Sequence, residues 1–394
     1  MHILQINRPQ DIKLIMQDIR VDPYGIKIML PKAITHLLRM NSVSNITANI
    51  LKQEMLSLGG DVAVGRDALT GKTRKTDCLL MGNLSQFNRL SGKLNKQPFG
   101  LDKLAGDLSR ALINYQRDNF IIDLGRHKLN LGKRPHIMGI VNATPDSFSG
   151  DGFCQSPAII NYAEKMVEDG ADIIDVGGES SRPGAKAVSI KEELARTIPV
   201  IKALSKKIKK PVSIDTYKPE VAKVALDNGA VLVNDVTGLR NPRMAKLIAR
   251  YKAAVVIMHM LGNPRTMQKD PHYSSLIDEI IEYLERAINL AQDAGIDKEK
   301  IIIDPGIGFG KTLKHNLEIL KRLAEFKALG RPILVGTSRK SFIGKILNVA
   351  PQERIFGTVA TCVSAVQNGA KILRVHDVGE VKQALKVLDA INQA

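Results

Sequence analysis

Polar side chains close several apolar runs in the last two-thirds of the chain. Asp215 ends VSID, Asn234 ends VLVN and Asp304 ends IIID. An apolar run leaves each side chain poorly solvated, and a buried carboxylate needs donors around it. In one interpretation, Lys340 and Arg374 neutralise these groups in an internal ion-pair network. In the other, the acceptors bind a ligand with several N–H donors on one edge, such as a 2-aminopyrimidinone ring.

The last two runs carry cationic groups. Lys340 lies in TSRKS, and Arg374 and His376 lie in RVHDV. Arg374 and His376 are two residues apart, which places them on the same face of a strand. A lysine, an arginine and a histidine are the groups that a diphosphate requires. The pattern predicts an anion clamp.

Two Gly-rich segments follow the first two runs. NATPDSFSGDGF begins with Asn142, whose neutral carbonyl oxygen suits a hard cation such as Mg²⁺. Gly150 and Gly152 could act as hinges that close this loop over a substrate. GGESSRPGA contains Arg182, a planar donor fork for a carboxylate or phosphate, and Pro183, which stiffens the adjacent turn.

The elements that must position these groups alternate between strands and helices. A helical pattern follows each of eight strand-like runs, which predicts a (β/α)₈ TIM barrel with its reactive groups at the carboxyl ends of the strands. The predicted strands are 137–142, 172–176, 212–215, 231–234, 254–258, 301–304, 332–336 and 371–375. FIIDLGRHKLNLG (120–132) predicts an N-terminal β-hairpin that turns at Gly125–Arg126 and covers the amino-terminal mouth of the barrel.

A small α/β domain is predicted before the barrel, so the domains are 1–117 and 118–394. Its predicted strands are 2–6, 25–30, 61–64 and 77–82, and its predicted helices are 9–19, 32–40, 43–57, 83–95 and 101–116. The segment resembles no family and its role is not determined. It could bind nucleic acid or a partner, but its basic residues form no clear stripe, which favours docking or oligomerisation.

Composition narrows the function classes. The net charge is +17, but the cations are scattered and aromatic residues make up only 4% of the chain, which favours an anionic small molecule over nucleic acid. Three cysteines without a CxxC predict neither a disulfide framework nor a zinc knuckle, and Cys154 is interpreted as an incidental thiol. No membrane-length apolar run and no signal peptide are found, so a cytoplasmic enzyme is expected.

Eight motifs in order resemble those of dihydropteroate synthases. They are MGIVNATPDSFS, DVGGESSRPGA, SIDTYKP, ND, MHMLGNPRTMQ, DPGIGFGK, GTSRKSFIG and RVHDV, and the resemblance runs from about residue 120 to the C-terminus. Single motifs would be weak, but eight in order are highly specific. The resemblance implies condensation of 6-hydroxymethyl-7,8-dihydropterin diphosphate with 4-aminobenzoate to give 7,8-dihydropteroate and diphosphate, with diphosphate leaving first. It also implies Mg²⁺ and a homodimer.

The resemblance also implies roles for individual residues. Asn142 would hold Mg²⁺, and Asn142, Arg182, Asp215, Lys340 and Arg374 would be catalytic. The pterin diphosphate would contact Ser181, Asp215, Asn234, Asp304 and Lys340, with Arg374 and His376 as the diphosphate clamp. The aminobenzoate would be surrounded by Arg182, Pro183, Phe309 and Ser341.

The sequence departs from the family's pattern at three points, and two alternative functions remain open. Ser181 stands where many members have Thr, Tyr217 occupies a variable position, and residues 1–117 are absent from the usual single-domain form. The first alternative is a pterin-binding methyltransferase that moves a methyl group from methyltetrahydrofolate to a corrinoid; it needs no diphosphate clamp, so TSRKS and RVHDV count against it. The second is a non-catalytic pterin-binding protein, against which the matched positions all keep usable functional groups.

Overall fold

The chain forms two compact units, Met1–Ile113 and Asn114–Ala394. The structure is a computed structural model, and it describes residues 1–4, 6, 8–70, 72–98, 100–143, 157–180, 187–263 and 266–393. Over these ranges, no helix combines the length and the apolar character needed to cross a bilayer.

The first unit packs helices on a three-stranded antiparallel sheet of order β1-β3-β2. Its elements are α1 (Pro9–Asp18), α2 (Pro23–Ala33), β1 (Thr35–Ser44), α3 (Asn45–Ser57), β2 (Asp61–Val64), α4 (Arg66–Thr70), β3 (Lys75–Asn83), α5 (Leu84–Leu94) and α6 (Leu101–Gln116). The unit has its own apolar core, in which Phe87 of α5 and Leu51 and Met55 of α3 pack with Leu80 of β3.

Three local predictions in this unit are wrong. The run 25–30, predicted as a strand, lies in α2, because the Asp22 carboxylate caps that helix and accepts from the Tyr24 N–H at 2.8 Å. The predicted helix at 32–40 is mostly β1, whose side chains alternate between exposed and half-buried with the period of a strand. The predicted strand at 2–6 is not found in its described residues, since 2–4 and 6 lie in no helix or strand.

The second unit is a closed barrel of eight parallel strands, as predicted, in the order β6 to β13 with β13 pairing back to β6. Its strands are β6 (His136–Asn142), β7 (Ile173–Gly177), β8 (Val212–Asp215), β9 (Leu232–Asp235), β10 (Ala254–Met258), β11 (Ile301–Asp304), β12 (Ile333–Val335) and β13 (Ala370–Val375). They are preceded by a hairpin of β4 (Ile121–Leu124) and β5 (His127–Asn130).

Helices follow the barrel strands. They are α7 (Pro157–Glu168), α8 (Ile190–Lys207), α9 (Pro219–Asp227), α10 (Pro242–Tyr251), α11 (Leu276–Asp293), α12 (Leu313–Lys321), α13 (Ser341–Leu347), α14 (Ile355–Gln367) and α15 (Val378–Gln393). Short 3₁₀ helices lie at Lys298–Lys300, Leu323–Leu329 and Pro351–Glu353. The sequence reading missed α13, which begins directly after Lys340.

Alternation along each strand divides its side chains between two environments. One set packs outward against the helices, for example Ile174, Val233 and Ile303. The other set fills the barrel interior, for example Ile173, Leu232 and Ile302. Moving toward the carboxyl ends in steps of two from these inward residues leads to Asp175, Asn234 and Asp304. Because alternate residues of each strand point inward, the polar side chains of these three strands meet at the carboxyl-terminal mouth of the barrel.

The hairpin closes the opposite end of the barrel, as the sequence predicted. Ile122 and Leu124 of β4 and Leu129 of β5 are buried in one cluster with the first inward layer of the strands, including Met138 and Ile372. Burial of these apolar side chains stabilises the fold by about 25 cal/mol for each Å² of apolar surface removed from water. The hairpin stabilises the fold at the end remote from the polar mouth.

Candidate active site

The strand register brings the polar ends of neighbouring strands to one height. Asn142 lies opposite Gly177, Gly177 opposite Asp215, and Asp215 opposite Asn234. Gly177 leaves space between its neighbours: a Cβ there would meet the Asp215 Cβ at 3.5 Å. Asp304 ends the strand on the far side of β10 from Asn234, opposite Met258.

Arg374 links two of the carboxylates. Its Nε donates to Asp175 Oδ2 at 2.6 Å, and its Nη2 donates to Asp215 Oδ2 at 2.6 Å. The Asp175 side chain is fully buried, whereas those of Arg374 and Asp215 keep 20% and 13% exposure at the mouth. Arg374 is thus held by both carboxylates, and part of its side chain is exposed at the mouth. The predicted ion pairing between Arg374 and an inward carboxylate is present at Asp215.

Burial is the main control on the protonation of Asp215. Burial raises the pKa of Asp215 to about 7, Arg374 opposes this, and the charge of Asp175 adds to it. Burial lowers the pKa of Arg374, but Asp175 and Asp215 outweigh it and raise that pKa. One cation between two carboxylates leaves a net negative charge, which favours a ligand bearing N–H donors or positive charge.

Asp175 is a site residue that the sequence reading missed. Its Oδ2 also accepts from Asn234 Nδ2 at 3.0 Å, so one carboxylate oxygen orients both Asn234 and Arg374. Its Oδ1 has no hydrogen-bond partner in the described part of the chain. The available signal was a carboxylate inside the apolar run IIDVGG, two residues before the strand end.

Asp304 and Lys340 form the other side of the mouth. Asp304 is 7% exposed and its Oδ1 accepts from the Gly306 N–H at 2.7 Å. Burial raises the pKa of Asp304, against the charge of Lys340 and the Gly306 hydrogen bond. Burial lowers the pKa of Lys340 to about 8, against the charge of Asp304. Both groups are held where a polar ligand would be poorly screened by water.

Lys340 also lies against the loop that follows β11. Its Nζ is 4.7 Å from the centroid of the Phe309 ring, a cation–π geometry, and it donates to the Ile307 carbonyl oxygen. Ser341, the next residue, is exposed and begins α13. Phe309 and Lys340 are therefore in contact, and Ser341 follows Lys340 at the start of α13.

His376 lies at the end of β13 beside the first strand. Its Nδ1 is 3.0 Å from Ser338 Oγ, and its Nε2 is 3.4 Å from Asn142 Nδ2. The Ser338 hydroxyl also accepts from the His376 backbone N–H at 3.1 Å. Asn142 and His376, predicted from distant motifs, are thus neighbours, and Ser338 is a second orienting group that the sequence reading did not single out.

A buried lysine supports the loop after β11. Lys311 is 3% exposed, and its Nζ lies 2.9 Å from His259 Nδ1 and donates to the Phe309 carbonyl oxygen at 3.0 Å. Burial, with the charges of Lys311 and Arg240, lowers the pKa of His259 to about 2, so the imidazole is neutral. The structure places His259 in a packing role and gives Lys311 a role in holding the backbone that carries Phe309.

Some predicted residues lie outside the part of the chain that the structure describes. They are Ser181, Arg182 and Pro183 of the second loop, and Gly150, Gly152 and Cys154 of the first. The other two cysteines, Cys78 and Cys362, are free and buried.

No described cluster of three or more His, Cys, Asp or Glu residues could hold a metal ion by itself. A cation at this mouth would need ligands from the substrate and water besides a protein oxygen. The side chain best placed to supply one is that of Asn142, whose amide nitrogen contacts His376 and whose oxygen is therefore the atom available to a cation.

Comparison with known proteins assigns the barrel to a family. The family described as "Pterin binding enzyme" matches residues 138–376. The dihydropteroate synthase of Synechocystis sp. is 50% identical over 273 residues, which are 68% of this chain and 94% of that protein. The structure of Xanthomonas albilineans dihydropteroate synthase with 4-aminobenzoic acid has a TM-score of 0.67 and 42% identity, and covers 70% of this chain and 99% of that chain.

An archaeal relative extends the similarity beyond the barrel. The Halobacterium salinarum protein named "Probable bifunctional folylpolyglutamate synthase/dihydropteroate synthase" is 40% identical over 383 residues, which are 96% of this chain and 46% of that protein. A match of this length must include most of the first unit, whose sequence alone had suggested no family. The alignment with the archaeal protein and the matches to the barrel agree on the second unit. The chain belongs to the pterin-binding enzyme family and, within it, to the dihydropteroate synthases.

Proposed function

We propose that the inward side chains divide the dihydropteroate synthase reaction between two sides of the barrel mouth. Dihydropteroate synthases condense 6-hydroxymethyl-7,8-dihydropterin diphosphate with 4-aminobenzoate. In this chain the carboxylates would hold the pterin ring, and the cations nearer β6 and β13 would hold the diphosphate. The observation that carries the division is that Arg374 contacts Asp175 and Asp215 from within the barrel while part of its side chain stays exposed.

The pterin edge would be recognised by Asp215, Asn234, Asp304 and Lys340. The two carboxylates are largely surrounded by protein, and Asn234 is 4% exposed and oriented by Asp175. A ligand that lacked the amino and ring N–H donors would leave a buried carboxylate without a partner, which costs several kcal/mol. Lys340 would donate to acceptor atoms on the same ring.

The diphosphate would lie over Arg374 and His376. Arg374 donates from Nε and Nη2 to carboxylates, so its remaining N–H groups would donate to phosphate oxygens. His376 is oriented by Ser338, which positions one ring nitrogen and leaves the other toward Asn142. The positive charge of Arg374 at this point would stabilise the negative charge that develops on the leaving group.

Asn142 fits a Mg²⁺ site in which the protein supplies one neutral oxygen. Its place beside His376 puts that oxygen next to the proposed diphosphate position. Mg²⁺ keeps several waters and is commonly bound through substrate phosphates, so a single protein ligand is compatible with it. When bound, Mg²⁺ would neutralise charge on the diphosphate.

The aminobenzoate would lie near Phe309 and Ser341, with Arg182 and Pro183 of the second loop. Lys340 against the Phe309 ring fixes one wall of this space. Ser181 would contact the pterin diphosphate from the same loop. These three loop residues lie outside the described ranges, so their roles rest on the motif match alone.

Bond cleavage would precede bond formation. The C–O bond to diphosphate breaks with its electron pair on oxygen, and the CH₂ cation is stabilised by the pterin ring above Asp215 and Asp304. The arylamine nitrogen then attacks that carbon and loses a proton. No side-chain nucleophile takes part. Each ~1.4 kcal/mol of stabilisation that acts only on the cation-like state gives about tenfold in rate.

Positional isotope exchange tests this order. Substrate labelled with ¹⁸O at the bridging position is incubated with the protein and Mg²⁺ without aminobenzoate, and recovered substrate is analysed by mass spectrometry. Reversible C–O cleavage moves the label to non-bridging positions. With aminobenzoate added, dihydropteroate and diphosphate must form in equal amounts. Product formation without any scrambling would favour direct displacement, whereas no product would contradict the assigned activity.

Two further features of the chain remain proposals. Phe356 is 83% exposed, and Ile346 and Leu347 are 53% and 46% exposed. Leu347 of α13 lies beside Gly357 of α14, where an added Cβ would meet its Cδ1 at 3.2 Å, so the three exposed apolar side chains belong to two helices in contact. We assign them to a homodimer interface, testable by light scattering of a Phe356→Glu variant. A cytoplasmic location likewise stays a prediction from the sequence.

A further inference from the structure

A second cavity lies at the opposite end of the barrel from the proposed active site. It is formed by the hairpin and by the segments that enter β6, β7 and β8, and its volume is about 430 Å³. That size falls among pockets that hold small molecules. The residues around it are Arg126, His127, Lys128, Leu129, Asn130, Lys133, Arg134, His136, Asp172, Lys209, Lys210 and Pro211.

Positive charge dominates this cavity, because six of its side chains are lysine or arginine and one is acidic. The acidic side chain is already neutralised: Asp172 is 4% exposed and accepts two hydrogen bonds from Arg134, at 2.8 and 2.7 Å. Lys210 lies 3.8 Å from the same carboxylate. One carboxylate therefore serves two of the six cations, and the other four, Arg126 and three lysines, form no ion pair within the described ranges.

Three of these four cations are lysines, and they carry most of the excess positive charge. Within the described ranges, Lys128, Lys133 and Lys209 take part in no ion pair, and all three are exposed. They come from β5, from the turn before β6 and from the turn before β8. Lysine ammonium groups on three separate segments around one cavity suit the point charges of phosphate oxygens.

Burial and the nearby cations lower the pKa of both histidines. Burial, followed by the charges of Arg126 and Lys210, lowers the pKa of His127. Burial also lowers the pKa of His136, and Arg134 and Lys210 add to that effect while Asp172 opposes it. Both imidazoles are therefore neutral near pH 7 and can donate or accept hydrogen bonds without adding charge.

We propose that this cavity is a second anion site, remote from the catalytic mouth, for a small molecule that carries at least two phosphate groups. A single phosphate monoester brings about −1.5 to −2 charges, too few to match six cations against one carboxylate. Among the described residues that line the cavity, the only rings are the two histidines, which disfavours base stacking of a single-stranded nucleic acid.

An alternative role for some of these lysines is purely local. Lys206 and Lys207 end α8, and Lys209 and Lys210 follow it, so they could simply complement the negative end of the helix dipole. That role predicts no saturable binding of an anion and no dependence on Lys128 or Lys133, which lie on other segments. Binding measurements separate the two accounts.

The test is calorimetry of the full chain with inorganic triphosphate. The active site is first saturated with the product 7,8-dihydropteroate, which carries no phosphate group and so cannot itself occupy the remote site. We expect one triphosphate per chain, weakened by added salt. The double variant Lys133→Glu/Lys209→Glu should weaken binding by at least about tenfold, which corresponds to about 1.4 kcal/mol. ATP as a second probe shows whether the phosphates alone are recognised or a nucleoside adds affinity.

The control carries the same change in net charge elsewhere. Lys246 and Lys321 are exposed on the barrel helices, and Lys246→Glu/Lys321→Glu should change the affinity less than about twofold. Acetylation followed by mass spectrometry supplies an independent readout: triphosphate should protect Lys128, Lys133 and Lys209. Absence of triphosphate binding, equal losses in the two double variants, or retention of RNA without triphosphate binding would each overturn the proposal.

Discussion

Replacing Asp175 by asparagine should weaken binding of the pterin diphosphate although Asp175 is too deep to touch it. Asp175 Oδ2 accepts from Arg374 Nε at 2.6 Å and from Asn234 Nδ2 at 3.0 Å. Asparagine has nearly the same shape, and its oxygen can occupy the Oδ2 position. The substitution thus removes a charge without creating a cavity, and it loosens the two groups proposed to hold opposite parts of the substrate.

The size of the effect follows from the type of hydrogen bond. Bonds to charged groups contribute about 1.5–3 kcal/mol; in the variant the Arg374 donor stays charged while its acceptor becomes neutral, so the contact loses roughly 1–1.5 kcal/mol of that. If that energy positions Arg374 for the diphosphate, affinity falls by about tenfold. Stability should fall by about 2 kcal/mol, since the new amide N–H groups at the Oδ1 position are buried where no partner is found in the described part of the chain.

A pH profile separates positioning from simple destabilisation. The charge of Asp175 contributes to raising the pKa of Asp215 to about 7, so wild-type kcat/KM should decline as pH falls through that region. Asp175→Asn removes this contribution and lowers the pKa of Asp215. The acid limb of the profile should therefore move to lower pH, which a merely less stable protein would not show.

Asp172→Asn is the matched control. Asp172 is also a buried carboxylate paired with an arginine, and it lies three residues earlier, at the other end of the barrel. It should cost comparable stability but leave the calorimetric affinity for pterin diphosphate and the acid limb unchanged. Equal loss of affinity in the two variants, or an unshifted acid limb in Asp175→Asn, would refute the reasoning.

Three further outcomes are expected. Asp304→Asn should weaken pterin-diphosphate binding by well over about tenfold, because an acceptor with a buried charge becomes partly a donor; near-unchanged affinity in calorimetry would contradict the pterin-edge role. Arg182→Ala should raise KM for aminobenzoate more than KM for the pterin substrate in steady-state kinetics, and full turnover at low aminobenzoate would show the role to be wrong. Removal of residues 1–113 should leave a folded barrel with cooperative thermal unfolding, since Asn114 donates to the Ala328 carbonyl oxygen at 2.9 Å and Arg117 pairs with Glu299 within the second unit; insoluble or inactive protein would mean that the first unit is integral.

Local pattern was sufficient where strand and helix alternate regularly. The eight barrel strands, the hairpin at Gly125–Arg126 and the strand-end positions of Asp215, Asn234 and Asp304 could all be predicted. A run of buried β-branched residues followed by a polar cluster has few other interpretations in a parallel barrel. The same reasoning failed at 25–30, where an apolar run of six residues fits a helix or a strand equally well and the Asp22 cap decided.

The sequence by itself determined which chemical groups stand at the ends of the strands, because periodicity and motif order are properties of neighbouring residues. Only the tertiary structure decided which of them pair. Arg374 and Asp175 are 199 positions apart, and they meet because β13 closes the barrel against β6, whose other neighbour is β7. Ring closure converts strand order into contacts across the barrel interior, and burial there sets the pKa of Asp215 and of Lys340, which no local pattern contains.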